Sequence, residues 1–328
     1  MKIIKLIDKD NSIFIAGHKG MVGSAIRKRL MQKGYKNLLF ADRKELDLRN
    51  DLDVKKWFKI NKPSVVIIAA AKVGGIFANS EYPAEFLLDN LKIQNNLIEN
   101  SFIHEVKRLL FLGSSCIYPK FAKQPISEEE LLNGYLEKTN EPYALAKICG
   151  IKLCQSLRKQ YSFDAISLMP TNLYGPGDNY HPKNSHVLPA LIRKFSEATL
   201  YDYESVTCWG SGNPMREFLH VYDLADACIF SLENWSPSAI NAPCDIRGDK
   251  LNFLNVGMGK DISIRDLAFK IAKACNFKGR IIWDDSKPDG TPRKLLNISR
   301  INNLGWSAQI ELEDGIKSTI DEFKKEIL

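Results

Sequence analysis

Tyr143 and Lys147, four positions apart, and the turn Gly113-Ser114-Ser115-Cys116-Ile117-Tyr118-Pro119 are the residues of this chain whose types and spacing could do chemistry. Strong helix formers fill Pro142-Tyr143-Ala144-Leu145-Ala146-Lys147, so the tyrosine and lysine should share one helical face. A phenol titrates at about 10 when unperturbed, and a fixed ammonium nearby favours the phenolate. Tyr143 could then work as acid or base closer to neutrality, with a serine hydroxyl orienting the carbonyl oxygen that it protonates. A lone Tyr-x-x-x-Lys is common in proteins, so the elements that position the pair carry the argument.

Residues 108–112 are an apolar run that reads as a strand, and it would deliver the serines to the C-terminal edge of a sheet, where ligands of open α/β sheets bind. A second such run, 12–16, enters Gly17-His18-Lys19-Gly20-Met21-Val22-Gly23, followed by a helical pattern over 24–34. Strand, glycine turn and helix form a context in which pyrophosphate can approach the backbone at a helix N-terminus. The strand at 37–41 ends in Asp42-Arg43-Lys44. An acid there would accept from a free ribose 2′-hydroxyl and an arginine would pair with a 2′-phosphate; Lys19 adds a cation and favours NADP. Further on, a helix at 52–60, a strand at 64–70, small residues at 69–75 and a helix at 83–100 predict a parallel sheet with helices on both faces.

The helix holding Lys147 should run to about 161, with a strand at 165–169. Pro170-Thr171-Asn172-Leu173-Tyr174-Gly175-Pro176 then reads as a loop that continues neither helix nor sheet, and the strand–helix rhythm breaks. A polar stretch, 178–185, leads to His186 and a helix over 187–198, where a second lobe begins. Trp209-Gly210-Ser211-Gly212-Asn213-Pro214-Met215-Arg216-Glu217-Phe218 sets an aromatic and an arginine around a tight turn; Arg216 could clamp a diphosphate or pair with Glu217. A helix at 220–233 and a last strand at 251–256 return to the sheet, with 234–250 a surface loop between them. An amphipathic helix at 262–275, a basic loop from Lys287 to Lys294 that could close over an anion, and a charged surface helix at 311–328 complete the chain. The expected class is α/β: a Rossmann-like, doubly wound parallel sheet with a smaller, mixed α/β C-terminal lobe. The expected cofactor domain is 1–173 with a return segment of about 217–256; the substrate lobe is 174–216 and 257–328.

Composition sets limits on partners. The net charge of +7 is spread along the chain without a basic block, which points away from nucleic acid and suits a small anionic substrate. Seven cysteines without a Cys-x-x-Cys pair argue against a disulfide framework or a zinc site, and no metal is expected. The opening Met1-Lys2-Ile3-Ile4-Lys5-Leu6-Ile7-Asp8-Lys9-Asp10 carries charge where a signal peptide needs its apolar core, and no apolar run approaches membrane-spanning length. The expectation is a cytoplasmic enzyme without membrane partners.

In combination, Gly17/Gly20/Gly23, Ser114, Tyr143 with Lys147 and the 170–176 segment resemble the extended branch of the short-chain dehydrogenase/reductase family. Segments 16–24, 69–75, 112–120, 140–147, 170–176, 184–189, 209–221 and 286–296 are similar, within that branch, to the enzymes that make GDP-L-fucose. The resemblance implies epimerisation of GDP-4-keto-6-deoxy-D-mannose at C3 and C5 and reduction of C4 with NADPH. It implies Tyr143 as proton donor, Lys147 as its partner and ribose anchor, Ser114 (rather than Ser115) as the orienting hydroxyl, and Cys116 and His186 as the epimerising pair. It implies cofactor contacts at Gly17, Lys19, Gly20, Met21, Val22, Gly23, Arg43, Ala70, Lys147, Pro170, Asn172 and Leu173. Substrate contacts fall on Asn172, His186, Lys194, Trp209, Arg216 and Lys287, and the family's habit is a homodimer. Asp42 departs from strict NADP preference and leaves NADH use open. The alternative is a C4 reductase of a GDP-4-keto-heptose, or another GDP-4-keto sugar, for a bacterial surface polysaccharide, with epimerisation by a separate enzyme.

Overall fold

Four runs of consecutive buried residues, Ile13–Ala16 (β1), Val65–Ile68 (β3), Arg108–Leu112 (β4) and Ala165–Pro170 (β5), form the middle of a six-stranded parallel sheet. Strands covered on both faces lose the alternation of apolar and polar residues, which is why these read as nearly continuous apolar stretches, with Arg108 and Ser167 the buried polar exceptions. The short β2 (Leu38–Leu39) and β9 (Phe253–Val256) are the edges, giving the order β2-β1-β3-β4-β5-β9. The structure is a computed structural model that describes residues 5–182, 184–287 and 289–326. Met1–Ile4, part of the opening read above, Pro288 in the basic loop and the last two positions of the expected 311–328 helix lie outside the described residues.

Helices α1 (Met21–Gln32), α2 (Asp51–Asn61), α3 (Ile76–Glu81), α4 (Pro83–Ile103), α5 (Glu141–Tyr161), α6 (Val187–Leu200), α7 (Val221–Asn234), α8 (Ile264–Ala274), α9 (Ser299–Asn303) and α10 (Leu312–Glu326) follow in chain order. α2, α4 and α5 pack in one layer on the sheet and α1 packs with α7 in the other, the doubly wound arrangement that the sequence predicted. Consecutive strands fall on opposite sides of β1, so the sheet reverses direction between β1 and β3, the crevice at which such sheets bind ligands. Gly17 turns the chain out of β1 with φ +89°, and a Cβ there would stand 2.7 Å from the Ala70 nitrogen beyond β3. A Cβ on Gly23 would lie 2.1 Å from the Gly17 carbonyl oxygen, so α1 rests directly on this turn. No helix among the described residues is long and apolar enough to cross a membrane.

The second lobe differs from the sequence reading. Residues 172–174, expected as loop, form β6 (Asn172–Tyr174), which pairs in parallel with β8 (Met215–His220). β8 also pairs antiparallel with β10 (Asp261–Ser263) and parallel with β12 (Arg293–Lys294), while β7 (Ser205–Trp209) pairs with β11 (Arg280–Asp284). The expected helix at 262–275 therefore starts only at Ile264, where Ser263 Oγ accepts from the Asp266 amide at 3.0 Å. These strands are short and carry Arg216, Glu217, Asp261, Arg293 and Lys294, so neither period nor apolar content marks them. The closing helix is also more than a surface helix, because Ile316, Ile320 and Phe323 are buried. They join Tyr174, Leu188, Ile192, Phe195, Phe218, Leu267 and Ile271 in a second core separate from the one around the main sheet. Replacing Gly23 by alanine forces α1 off the turn; the expected result is a loss of about 1–3 kcal/mol, read from the urea midpoint at unchanged slope.

Candidate active site

β4 ends at Leu112, and the chain turns there into a single 3-10 turn, Ser115–Ile117. Ser114 caps this turn, its Oγ accepting from the Cys116 amide at 3.2 Å. Ser115 is buried, and Ser114 is the more accessible of the two hydroxyls. α5 passes the same sheet edge with Tyr143 in its first turn and Lys147 one turn later. The buried Lys147 Nζ donates to the Leu112 carbonyl at 2.8 Å and lies 4.8 Å from the Phe111 ring centre and 5.9 Å from that of Tyr143.

The electrostatics depart from the expectation of a phenol pulled down by an ammonium. Burial pushes the Tyr143 phenol up, negative charge on Cys116 adds to this, and hydrogen bonding with Ser114 opposes it. Burial lowers Lys147 to about 7. Desolvation outweighs pairwise attraction for both groups, so Tyr143 is held as a protonated donor rather than poised as a phenolate.

Cys116 Sγ accepts from Asn140 Nδ2 at 3.3 Å and from Lys294 Nζ at 3.8 Å. His186 stands exposed at the N-cap of α6, in a loop seated on the small residues after β3: the Gly75 amide donates to the Asn184 carbonyl at 3.3 Å. Protein atoms crowding the His186 ring lower its pKa, and the charge of Lys294 lowers it further. Lys294 thus acts on both members of the expected epimerising pair. Neither Asn140 nor Lys294 was singled out from sequence; each is an ordinary polar residue until β12 and the start of α5 are brought to the end of β4.

At the glycine turn the backbone fits a dinucleotide. The N-cap of α1 is Gly20 without a side-chain cap, no acid lies in the first turn, and a Cβ on Gly20 would meet only the Gly17 carbonyl oxygen, at 3.5 Å. The free amides and helix dipole there favour phosphate. Ala70 faces Gly17, and Met21 and Val22 open α1. Asp42 is already engaged: Lys19 Nζ binds it at 2.9 Å, the Lys44 and Glu45 amides donate to it, and Lys19 is the main cause of its lowered pKa. Arg43 is exposed, and no hydrogen bond or ion pair ties it to the described residues. Pro170 ends β5, and Asn172 and Leu173 start β6, with Asn172 Nδ2 donating to the Glu217 carbonyl at 2.8 Å.

On the second lobe, Trp209 is exposed with Lys194 Nζ 5.5 Å and Lys287 Nζ 5.9 Å from its ring centre. Lys194 also donates to the Thr207 carbonyl at 2.7 Å. Arg216 does not pair with Glu217; its Nη1 donates to the Met215 carbonyl at 2.8 Å, and desolvation lowers its pKa. The basic loop is fastened by Asp289, which accepts from the Ser211 amide at 2.8 Å and from Ser211 Oγ at 2.7 Å. An aromatic face between two cations, with a nearby arginine, suits a base and its phosphates. A surface hollow of about 500 Å³ bordered by Ser24, Arg27, Lys28, Pro176 and Tyr222 shares no residue with these groups.

A lysine whose folded pKa lies below its unfolded value costs stability in full below the folded pKa, and the cost fades as pH rises towards the unfolded one. For Lys147 the cost is full below about 7 and fades towards the ordinary 10.5. Lys147→Met should therefore be more stable than the parent at pH 6, by about 2–5 kcal/mol. That margin should shrink as urea unfolding is repeated up to pH 9.

The sequence pattern of the NAD dependent epimerase/dehydratase family matches residues 13–242. The chain is 52% identical over 326 residues to GDP-L-fucose synthase 1 of Arabidopsis thaliana, covering 99% of this chain and 97% of that protein. It is 54% identical over 311 residues to GDP-L-fucose synthase of Escherichia coli (strain K12), covering 95% and 96%. Among solved structures, a GDP-6-OMe-4-keto-L-xylo-heptose reductase from C. jejuni superimposes with a TM-score of 0.91 at 37% identity, covering 98% of this chain and 99% of that one. The family pattern covers most of the chain, including the glycine turn after β1 and the Tyr143–Lys147 pair, and the chain belongs to the NAD dependent epimerase/dehydratase family.

Proposed function

We propose that this enzyme converts GDP-4-keto-6-deoxy-D-mannose to GDP-L-fucose, inverting C3 and C5 and reducing C4 with NADPH. The observation that carries the reading is the gathering of a protonated phenol, a thiol and a cation at the end of β4. Relatives above 50% identity along nearly the whole chain support the sugar. The engagement of Asp42 by Lys19, with Arg43 left open, supports NADPH over NADH. The glycine turn with Gly17, Gly20, Met21, Val22 and Gly23, and Ala70, Lys19, Arg43, Lys147, Pro170, Asn172 and Leu173, would hold the cofactor. Lys194, Trp209, Arg216 and Lys287 would hold the GDP moiety, with Asn172 and His186 beside the sugar. In this division 1–173 and 217–256 carry the cofactor and the rest the sugar nucleotide; the two buried cores follow it only in part, since Leu296, Ile301 and Trp306 of the sugar-nucleotide segments pack into the first core and Phe218 of the return segment packs into the second. The reading extends to a cytoplasmic homodimer, with exposed Leu88 and Leu145 on adjoining α4 and α5 as an apolar face for it.

The C4 ketone acidifies the protons on C3 and C5. One of Cys116 and His186 removes the proton from one face of each centre and the other delivers its own, solvent-exchanged proton to the opposite face, which inverts it, while Ser114 and Tyr143 hydrogen-bond the C4 oxygen that carries the enolate charge. When bound, NADPH supplies the hydride for C4. Tyr143 donates its proton to the C4 oxygen, and its raised pKa keeps that proton in place until charge develops there. Burial lowers Lys147 to about 7, and the phosphate charge and hydroxyls of a bound cofactor would favour its protonated form.

A second reading, C4 reduction of a GDP-4-keto-heptose with Cys116 and His186 idle, is favoured by the likeness to the heptose reductase. The two separate in one assay: NADPH oxidation with GDP-4-keto-6-deoxymannose in deuterated water, with deuterium located by NMR. Turnover with deuterium at C3 and C5 is expected, and no turnover moves the assignment to the heptose. Tyr143→Phe should lower kcat by about 10²–10⁴-fold with cofactor affinity nearly unchanged. Cys116→Ser should slow deuterium entry at C3 and C5 by about 10²-fold, and an unaffected rate removes Cys116 from the epimerisation.

A further inference from the structure

Asn140 occupies the N-cap of α5, where an asparagine oxygen ordinarily accepts from the second or third helical amide. Here the side chain caps nothing. The second helical residue is Pro142, which has no amide hydrogen, and the third is Tyr143. The amide group turns its Nδ2 onto Cys116 Sγ at 3.3 Å, while its Oδ1 is buried without a hydrogen-bond partner. A residue that gives up its cap and buries an orphan acceptor weakens the fold at this point, and the contact it makes instead is with the sulfur.

We infer that Asn140 is a positioning residue for Cys116, fixing the sulfur's direction and favouring its anionic form by donating Nδ2–H to it. This rests on the reading of Cys116 as an epimerising group. A hydrogen bond donated to an ionised acceptor strengthens as charge builds on that acceptor, so the donor acts most on the form that removes a proton. Other groups face the sulfur as well: Lys294 from β12 at 3.8 Å, Tyr143 from α5 and Arg216 from β8, whose pKa values respond to the Cys116 charge. His186 on α6 feels Lys294 in turn, and Ser114 Oγ fixes the Cys116 amide. Lys294 remains when Asn140 is changed, so the effect is a displacement of the pH profile rather than its loss. The opposite amide orientation, with Oδ1 accepting from the thiol, would favour the neutral form and displace the profile the other way.

The test uses the full-length enzyme with NADP⁺ in place of NADPH, so that reduction cannot proceed, and follows deuterium entry into GDP-4-keto-6-deoxymannose from pH 5.5 to 9. Asn140→Ala should exchange about tenfold more slowly at pH 7 with its profile moved to higher pH. Asn140→Asp, the same size and still able to cap, replaces the donor by an anion and should be slower still. Iodoacetamide labelling of Cys116 at pH 7, followed by peptide mass spectrometry, should slow several-fold in both, with thermal midpoints compared as a check on folding. An unchanged profile and labelling rate in Asn140→Asp, or a profile moved to lower pH, overturns the inference. If Cys116→Ser exchanges as fast as the parent, the reading of Cys116 fails and this one with it. If Cys116→Ser is inert while both Asn140 variants match the parent, only the role of Asn140 falls.

Discussion

The buried carboxylate of Glu217 is the junction on which the two lobes depend. Its side chain accepts from the Gly259 amide at 2.6 Å and the Leu296 amide at 3.0 Å, and its backbone carbonyl accepts from Thr171 Oγ1 and Asn172 Nδ2. One residue of β8 therefore fixes the chain leaving β5, the segment after β9 and the chain leaving β12. A carboxylate out of water is costly unless its oxygens are hydrogen-bonded; burial raises the Glu217 pKa and the two backbone amides oppose that rise. With Glu217 turned inward, the strand's alternation presents Arg216 on the other side, near the site.

Desolvation sets the chemistry of the site more than ion pairing does. Lys147 has the Leu112 carbonyl as its hydrogen-bond partner among the described residues, and Tyr143 is raised rather than lowered. A phenol that keeps its proton suits a general acid, and the cation beside it responds to whatever anionic group arrives in the crevice. The outer clamp works differently. Trp209 and Lys287 are exposed and Lys194 is half-buried, and Asp289 holds the loop of Lys287 against the turn at Ser211. The candidate site therefore joins a dry end around Tyr143 and Lys147 to a wet end around Trp209 and Lys287.

Much of the first lobe was legible from sequence. The buried parallel strands are nearly continuous apolar runs, the glycine turn stands between a strand and a helix, and Tyr143 with Lys147 sits on a helix with a proline in its first turn. Those signals are local, and local chemistry fixes them. The strands of the second lobe were not legible, since β6, β10 and β12 have two or three residues, β8, β10 and β12 carry charges, and all pair with partners remote in sequence.

What the sequence determined by itself is which groups are available: a phenol and a lysine one helical turn apart, a thiol beside two serines, and glycines where no side chain fits. The tertiary structure decided their states and their company. Burial favours the protonated phenol and covers Ser115, Lys19 pairs with Asp42, and β12 brings Lys294 to Cys116. Hydrogen bonding and desolvation act over a few ångströms in space, and pairs such as Cys116 and Lys294 lie 178 residues apart in the chain.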